Sequence, residues 1–556
     1  TYNIFLNTHK KPLLVKSITN GFKQTTGFTY KPISDTCIYT KYNDTSHNIW
    51  NMIGRSYLVS SMSEPNGIGG TIVTNYRYEG GLVHKYGKGL LGFSKVISED
   101  TVTKTKSESY YLYDSVYLQM NLVEAKMFLN GSLVSDMKNS YKTVNLSGAT
   151  GYGFYKGIFC YNDSVTTTDY LTGTNVTKVY NYGSSSNIST NKGNPISVTE
   201  SYGNDGSVVT SNTYTNNTYS VNNGHSTMSM CKPSGTIVTS TFGSEPAFAK
   251  NTTYQYNTNG LLWKVTDFSN LSGSITTTYD YTGNNFGNVT QKTISTSGLP
   301  DRYTTYTYDT KGRFITGETN MLNQTISYQY KTKFGVKKSA TGINNLTTTY
   351  TYDGFGNLTT EHLPNGETNT YSRRWALSSG IPNAIFYTNS QLSNAPDVKT
   401  YYDAMGRVLG VETDGFGGAK VYTRKEYNAK GQVTKESQPY YSGETPKWTT
   451  YTYDNNNRPH TVSNNGLTST YSYSGKTVTV TDPGGRNSSK TVNNMGKVIS
   501  ATDNGGTITY TYCSNGQPKT ISAPGSTIEN RYDEYGRQRK MIDPDAGTTS
   551  YVYNGF

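Results

Sequence analysis

A short pattern recurs along the second half of this chain and limits its possible folds more than any other feature. Tyrosines stand at alternate positions, then a carboxylate or amide, two variable residues, a glycine and a basic or polar residue. It is clearest at Tyr306-Thr-Tyr308-Asp309-Thr-Lys-Gly312-Arg313 and Tyr350-Thr-Tyr352-Asp353-Gly-Phe-Gly356-Asn357. It returns at Tyr401-Tyr402-Asp403-Ala-Met-Gly406-Arg407, Glu426-Tyr427-Asn428-Ala-Lys-Gly431-Gln432 and Arg531-Tyr532-Asp533-Glu-Tyr-Gly536-Arg537. The copy at Tyr453-Asp454 carries Asn457 where the others have glycine, and asparagine is the next best residue at positive φ. Self-similarity of this kind means one supersecondary unit used many times, so the repeat has to be read before any isolated motif.

With the glycine as register mark, copies fall at Gly260, Gly287, Gly312, Gly335, Gly356, Gly380, Gly406, Gly431, Asn457, Gly496, Gly516 and Gly536. Most steps are roughly 20 to 27 residues, the length of two strands and two turns. The longer gap between Asn457 and Gly496 is filled by a copy with a shortened turn, Tyr471-Ser-Tyr473-Ser-Gly475-Lys476. Within a copy, aromatic and β-branched residues alternate with period two, as in a strand with two unlike faces. The Asp accepts hydrogen bonds from turn amides, and the Gly supplies the left-handed conformation that closes the turn. A second run such as Phe314-Ile-Thr316 returns antiparallel. Pro364-Asn-Gly366, Asn464-Asn-Gly466 and Asp503-Asn-Gly-Gly506 supply the turns at the other end. A lone hairpin is marginal in water, so the copies are expected to pair edge to edge, with tyrosine ladders across neighbouring strands. The resulting all-β fold is one long antiparallel sheet, which twists and is expected to coil into a spiral or shell.

These residues resemble the YD-repeat (Rhs-repeat) family, whose signature is Tyr-Asp, two variable residues and Gly-Arg. The resemblance runs through residues 250–556. Upstream, Tyr76-Arg-Tyr78-Glu79-Gly80-Gly81, followed by Gly89-Leu-Leu91-Gly92-Phe93-Ser-Lys-Val96, resembles the segment that precedes the repeats in B subunits of insecticidal toxin complexes. Leu91 stands there in place of an arginine often found before the final Gly-Phe. Between about 100 and 250 the copies are eroded, and Tyr202-Gly-Asn-Asp205-Gly206 is the best survivor. The expected organisation is an N-terminal β segment at 1–75, divergent repeats at 76–250 and a regular hairpin array at 251–556. The resemblance implies a hollow shell, or cocoon, enclosing a C-terminal polypeptide, commonly a toxin. It also implies a downstream acidic core that cuts the cargo free. No residue here is assignable to that core, and the chain reads as an internal piece of a longer protein.

Composition agrees with a thin sheet. Only 33% of residues are hydrophobic, and tyrosine, with 51 copies, is the dominant large side chain; amphipathic Tyr rather than dry aliphatics is expected to cover the faces. Disordered chains are poor in aromatic and β-branched residues, so disorder of the whole is set aside. The net charge of +12 is spread thinly over the copies, without the basic stripe that nucleic-acid binding needs, so no nucleic-acid partner is expected. Cys37, Cys160, Cys231 and Cys513 have neither paired nor metal-like spacing. No apolar run is long enough to span a bilayer, and richness in Asn, Thr, Ser, Gly and Tyr resembles exported bacterial surface proteins.

Catalytic chemistry has no sequence signature here. The six histidines are scattered, no glycine-rich stretch opens a helix to hold a phosphate, and no nucleophile elbow is present. No cofactor, metal or catalytic residue is therefore expected. Asp309, Asp353, Asp403, Asp454 and Asp533 occur once per copy, a turn-building position rather than a carboxylate pair for glycoside chemistry. With Tyr308, Tyr352, Tyr402, Tyr453, Tyr532, Gly312, Gly356, Gly406, Gly536, Arg313, Arg407 and Arg537 they are expected to be structural. The four tryptophans, Trp50, Trp263, Trp375 and Trp448, are expected between coils of the sheet. Two functions fit: a non-enzymatic shell around an effector, secreted through a translocon, or a surface adhesin using the array as an exposed rod or glycan-binding face.

Overall fold

The computed structural model describes residues 14–43, 48–54, 56–115, 118–146, 157–219, 228–377 and 380–555. Among them lie 43 strands, one short helix, Ser185–Thr190, and one 3-10 turn, Phe416–Gly418. Successive strands pair antiparallel along the array; for example Arg302–Tyr308 pairs with Ile315–Asn320, which pairs with Thr325–Lys331. An exception among the described residues is Tyr39–Thr40, parallel to Tyr78–Glu79. The Thr/Tyr alternation works as its period demands. Along Thr347–Tyr352 the residues alternate exposed and half-buried, with Tyr350 and Tyr352 on the covered face and Thr349 and Thr351 facing water. On the open face the threonines bond each other across strands, as in Thr341 with Thr347 at 2.8 Å and Thr511 with Thr520 at 2.7 Å.

The chain forms two compact units, each assembled from stretches distant in sequence. One comprises 1–136, 373–388 and 398–466; the other comprises 137–372, 389–397 and 467–556. The first holds both sizeable apolar clusters. Ile33, Ile38, Tyr39 and Met52 pack with Tyr78 and Phe93. Ala376, Ile381, Tyr401 and Leu409 pack with Tyr387 and Tyr427. In the second unit the only buried hydrophobic side chains among the described residues are Ile188 and Tyr512. Its order rests on ladder hydrogen bonds and cross-strand pairs rather than an apolar core, as the low hydrophobic fraction requires.

The upstream motif has a packing reason. Gly80 sits at φ 61°, and a Cβ on Gly81 would come within 2.9 Å of Met52 Cβ and 3.2 Å of the Phe93 ring. Two glycines therefore let the strand Thr71–His84 cross the aromatic cluster, where Tyr78 and Phe93 lie 4.8 Å apart. Trp50 and Trp263 depart from expectation, being 58% and 45% exposed, whereas Trp375, though 55% exposed, meets the distant Phe22 ring edge-on at 5.8 Å.

A polar network crosses the first unit's sheet. Glu108 is bound by Lys95 at 3.2 Å, Lys106 at 2.8 Å and the Tyr110 hydroxyl at 2.5 Å. Burial alone would raise its carboxyl, but the hydrogen bonds from Lys106, Tyr110 and Lys95 outweigh it and hold it at about 2. The folded value lies below the unfolded one, so the stability this site adds is present above the usual glutamate range and lost as pH falls toward 2. Thermal melts of wild type and Glu108→Gln should therefore differ at pH 7 and converge on acidification to about pH 2. A gap that persists unchanged at pH 2 would contradict the assignment.

Candidate functional site

Most Tyr-Asp copies build one turn, while at Asp309 the loop closes one residue later and Oδ1 accepts the amides of Arg313 at 2.6 Å and Phe314 at 3.2 Å. In the common turn the Asp Oδ1 accepts the amides two and four residues on: Asp353 from Phe355 and Asn357, both at 2.9 Å, and Asp533 from Tyr535 and Arg537 at 3.0 and 2.9 Å. The glycine amide donates back to the Asp carbonyl, at 2.9 Å for Gly312 and 3.1 Å for Gly406. These glycines have φ between 64° and 86° at Gly312, Gly356, Gly406 and Gly536, and Asn457 takes φ 61° in the same place. The Arg that ends the motif folds back onto the second carboxylate oxygen. Its Nε lies 2.7 Å away at Arg407, 2.8 Å at Arg458 and 2.8 Å at Arg537, whereas Arg313 uses Nη2 at 3.0 Å. In Asn428 the amide and Gln432 reproduce the pair without charge, at 2.9 Å.

Consequently the carboxylates are spent on the turn. Donors from Asn357 hold Asp353, and the Arg486 amide and guanidinium hold Asp482, below the usual carboxylate range. Asp482-Pro-Gly-Gly485-Arg486 is a copy of this turn that the sequence pattern hides, because no tyrosine precedes it. The Leu467–Ser474 strand meets Thr477–Thr481 across a two-residue turn with Gly475 at φ 53°.

The tyrosine does something other than form ladders. Its hydroxyl donates to the carbonyl of the residue two past the previous copy's glycine. Tyr308 reaches Val289 at 2.8 Å, Tyr352 reaches Lys337 at 2.7 Å, and Tyr453 reaches Val433 at 2.7 Å. Tyr512 reaches Val498 at 2.6 Å and Tyr532 reaches Pro518 at 2.7 Å. The strand is bulged immediately before each of Tyr308, Tyr352, Tyr402, Tyr453 and Tyr532, which turns the ring out of the pleat toward the preceding hairpin. Tyr402 instead stacks on Phe386 at 4.9 Å, and Tyr330 on Phe314 at 4.7 Å. Burial lifts the phenols of Tyr308, Tyr352, Tyr453, Tyr512 and Tyr532 above the ordinary tyrosine value, so each remains a donor. Removing one clip by Tyr512→Phe should cost about 1 kcal/mol and speed hydrogen exchange in the hairpin around Val498. An unaltered exchange pattern would mean the clip is idle.

Turns also meet turns far away in sequence. In the first unit the Arg407 Nη2 donates to the Asn66 carbonyl at 2.6 Å, and Asn130 Nδ2 to the Asn455 carbonyl at 2.5 Å. In the second, the Asn494 amide donates to Asp205 Oδ2 at 2.7 Å and the Gly273 amide to the Tyr535 hydroxyl at 2.9 Å. Ser514, 5% exposed, accepts from the Phe242 amide at 3.1 Å, and Lys519 pairs with Glu245 at 2.8 Å. Among the described residues no three His, Cys, Asp or Glu side chains gather to hold a metal, and no helix is long and apolar enough to cross a membrane.

Known proteins share both the sequence pattern and the fold. The insecticide toxin TcdB middle/N-terminal region matches residues 2–124, and the RHS repeat matches residues 338–368. The chain thus carries an RHS repeat. Its fold is that of TcdB2-TccC3, with a TM-score of 0.62 at 12% identity over 94% of this chain and 37% of that one. The TcdB2-TccC3-TEV structure gives 0.65 at 12% identity over 96% and 39%. The Photorhabdus luminescens Tc holotoxin pore also gives 0.65, at 10% identity over 96% and 39%. At such identities the likeness is one of fold. A curated relative, the tRNA3(Ser)-specific nuclease WapA of Bacillus spizizenii, is 29% identical over 215 residues, 37% of this RHS-repeat chain and 8% of the relative. The chain thus spans under a tenth of that relative and under two fifths of the solved chains.

Proposed function

We propose that this RHS-repeat chain is the non-enzymatic wall of an exported β-shell that encloses an effector polypeptide, and that Tyr308, Asp309, Gly312, Arg313 and their counterparts are its structural joints. The observation that carries the reading is the repeated clipping of one hairpin to the one before it, combined with turns seated on turns some 260–340 residues earlier within each unit. A closed wall needs both kinds of joint, whereas an array of independent hairpins needs neither. The fold shared with TcdB2-TccC3 supports a container, and the match to a nuclease supports a toxin as the enclosed cargo. The proposed setting is extracellular or at the bacterial surface, with the chain's own C-terminal effector and a secretion translocon as partners.

Intact mass and limited proteolysis of the full-length polypeptide test this. A protease-protected fragment that co-purifies with the wall while covalently separate from it is the expected result. A single uncut chain with nothing protected inside would overturn the container and favour the exposed rod.

A further inference from the structure

A cleft of about 450 Å³ opens in the first unit where two paired strands part. Strand Lys420–Tyr427 pairs with Val408–Asp414 only as far as Gly410 opposite Arg424, and its last three residues pair instead with Val433–Ser437. Leu409 and Ile381, from the buried cluster, line the cleft together with the half-buried rings of Tyr427, Tyr440 and Trp448. Its volume falls in the range of small-molecule sites.

Arg424, which also lines the cleft, carries its uncompensated charge. Gly410 has no side chain, so the Arg424 side chain lies against its backbone; a Cβ there would come within 2.8 Å of Nη1. Nη1 is buried without an acceptor, and no described carboxylate pairs with the group. The neighbouring charges are already matched: Lys425 with Glu436 at 2.9 Å, Glu426 with Lys435 at 3.0 Å, and Glu412 with Lys399 at 3.0 Å. The Tyr422 ring, 5.0 Å from the guanidinium carbon, attracts the cation without neutralising it. A half-buried guanidinium without a counter-charge is destabilising, and an anion entering the cleft relieves it. We infer that the cleft binds a hexuronic acid, its carboxylate on Arg424 and its ring among Tyr427, Tyr440 and Trp448. The guanidinium fork matches a planar carboxylate. The C–H face of a pyranose packs on aromatic rings, while Lys425 and Glu426 at the cleft offer a donor and an acceptor to hydroxyls. A hydrocarbon acid would cover those polar groups without replacing their bonds to water. The inference is independent of whether the array encloses an effector.

Calorimetry and saturation-transfer NMR on the full-length polypeptide test this with D-glucuronate, D-galacturonate, D-glucose and N-acetylglutamate. At least one hexuronate should bind, with glucose about tenfold weaker for want of the charge-assisted bond. N-acetylglutamate, which has the charge but no ring, should also be weaker. Arg424→Gln should bring the hexuronate down to the level of glucose and leave glucose unchanged, whereas Trp448→Ala should weaken both sugars. Since either variant can loosen the sheet, a wild-type readout stands beside them: added salt should weaken hexuronate binding and spare glucose. No hexuronate binding to the wild type, or binding that ignores both salt and Arg424→Gln, would overturn the site. N-acetylglutamate binding as tightly as the hexuronates would overturn the sugar, making a peptide carboxylate the ligand.

Discussion

Asp403→Ala is expected to destabilise the first unit by about 3–5 kcal/mol, because it leaves a largely buried guanidinium without its counter-charge. The Asp403 side chain is 0% exposed and the Arg407 side chain 21%. The carboxylate meets four donors: the Met405 and Arg407 amides at 2.9 Å, Arg407 Nε at 2.7 Å and Nη2 at 2.6 Å. The same guanidinium donates to the Asn66 carbonyl and lies over the Tyr427 ring at 4.7 Å. Its loss should therefore loosen two places 341 residues apart. Hydrogen exchange should accelerate at the amides of Met405 and Arg407 and, with them, in the tip around Asn66 and Gly70. Asp482→Ala is the matched control. It removes the same clip from a turn whose Arg486 side chain is 71% exposed, where an ion pair contributes about 0–1 kcal/mol. Asp403→Asn should fall between them, since its amide nitrogen would face the guanidinium donor to donor. Adding Arg407→Gln to Asp403→Asn rebuilds the uncharged pair seen at Asn428 and Gln432 and should recover part of the loss. Equal effects of Asp403→Ala and Asp482→Ala would show that burial of the pair contributes nothing.

How far the sequence discloses this structure depends on how local the cause is. The left-handed glycines, Asn457 at φ 61° and the Asp acceptor geometry are legible because each is fixed by five consecutive residues. The two-residue turn at Gly475 is legible for the same reason. What the pattern hides is set by partners elsewhere. Tyrosines two apart suggest ladders, but the bulge before Tyr308 redirects the ring, and the acceptor is a backbone carbonyl that any residue supplies. Val289, Lys337, Val433 and Pro518 share no side-chain chemistry, so no composition signal marks them. The Asp482 turn escapes notice because Thr481 stands where the tyrosine is expected. The seat at Asp403 is harder still. Its motif is indistinguishable from that at Asp533 until Asn66 is found against Arg407. The period of the glycines shows the repeat; the slow drift in separation from 341 to 262 residues belongs to the packing of one stretch on another.

Gly312→Val is expected to cost about 2–6 kcal/mol, the sum of strain in the backbone and a forced shift of a neighbouring ring. At φ 64° a β-branched residue is a conformational outlier. A Cβ there would lie 2.3 Å from Phe286 Cδ2, 2.4 Å from Cγ and 2.8 Å from Cβ. The last distance matters most, since a ring rotates away while Cβ moves only with the backbone. Gly366→Val separates the two terms: Gly366 has φ 87° and nothing within 4 Å of an added Cβ, so it reports strain alone, about 1–3 kcal/mol. Combining Gly312→Val with Phe286→Ala should then recover the part of the loss due to the ring atoms, leaving the double variant between Gly312→Val and Gly366→Val, because the 2.8 Å approach to Cβ and the dihedral penalty remain. The cycle is readable only if the two residues are coupled in the folded state, which the exposure of Phe286 on its other face permits without creating a core cavity. Strictly additive effects of Gly312→Val and Phe286→Ala would mean that the ring does not rest on Gly312, and the row of turns would then be held by the tyrosine clips and the ladder alone.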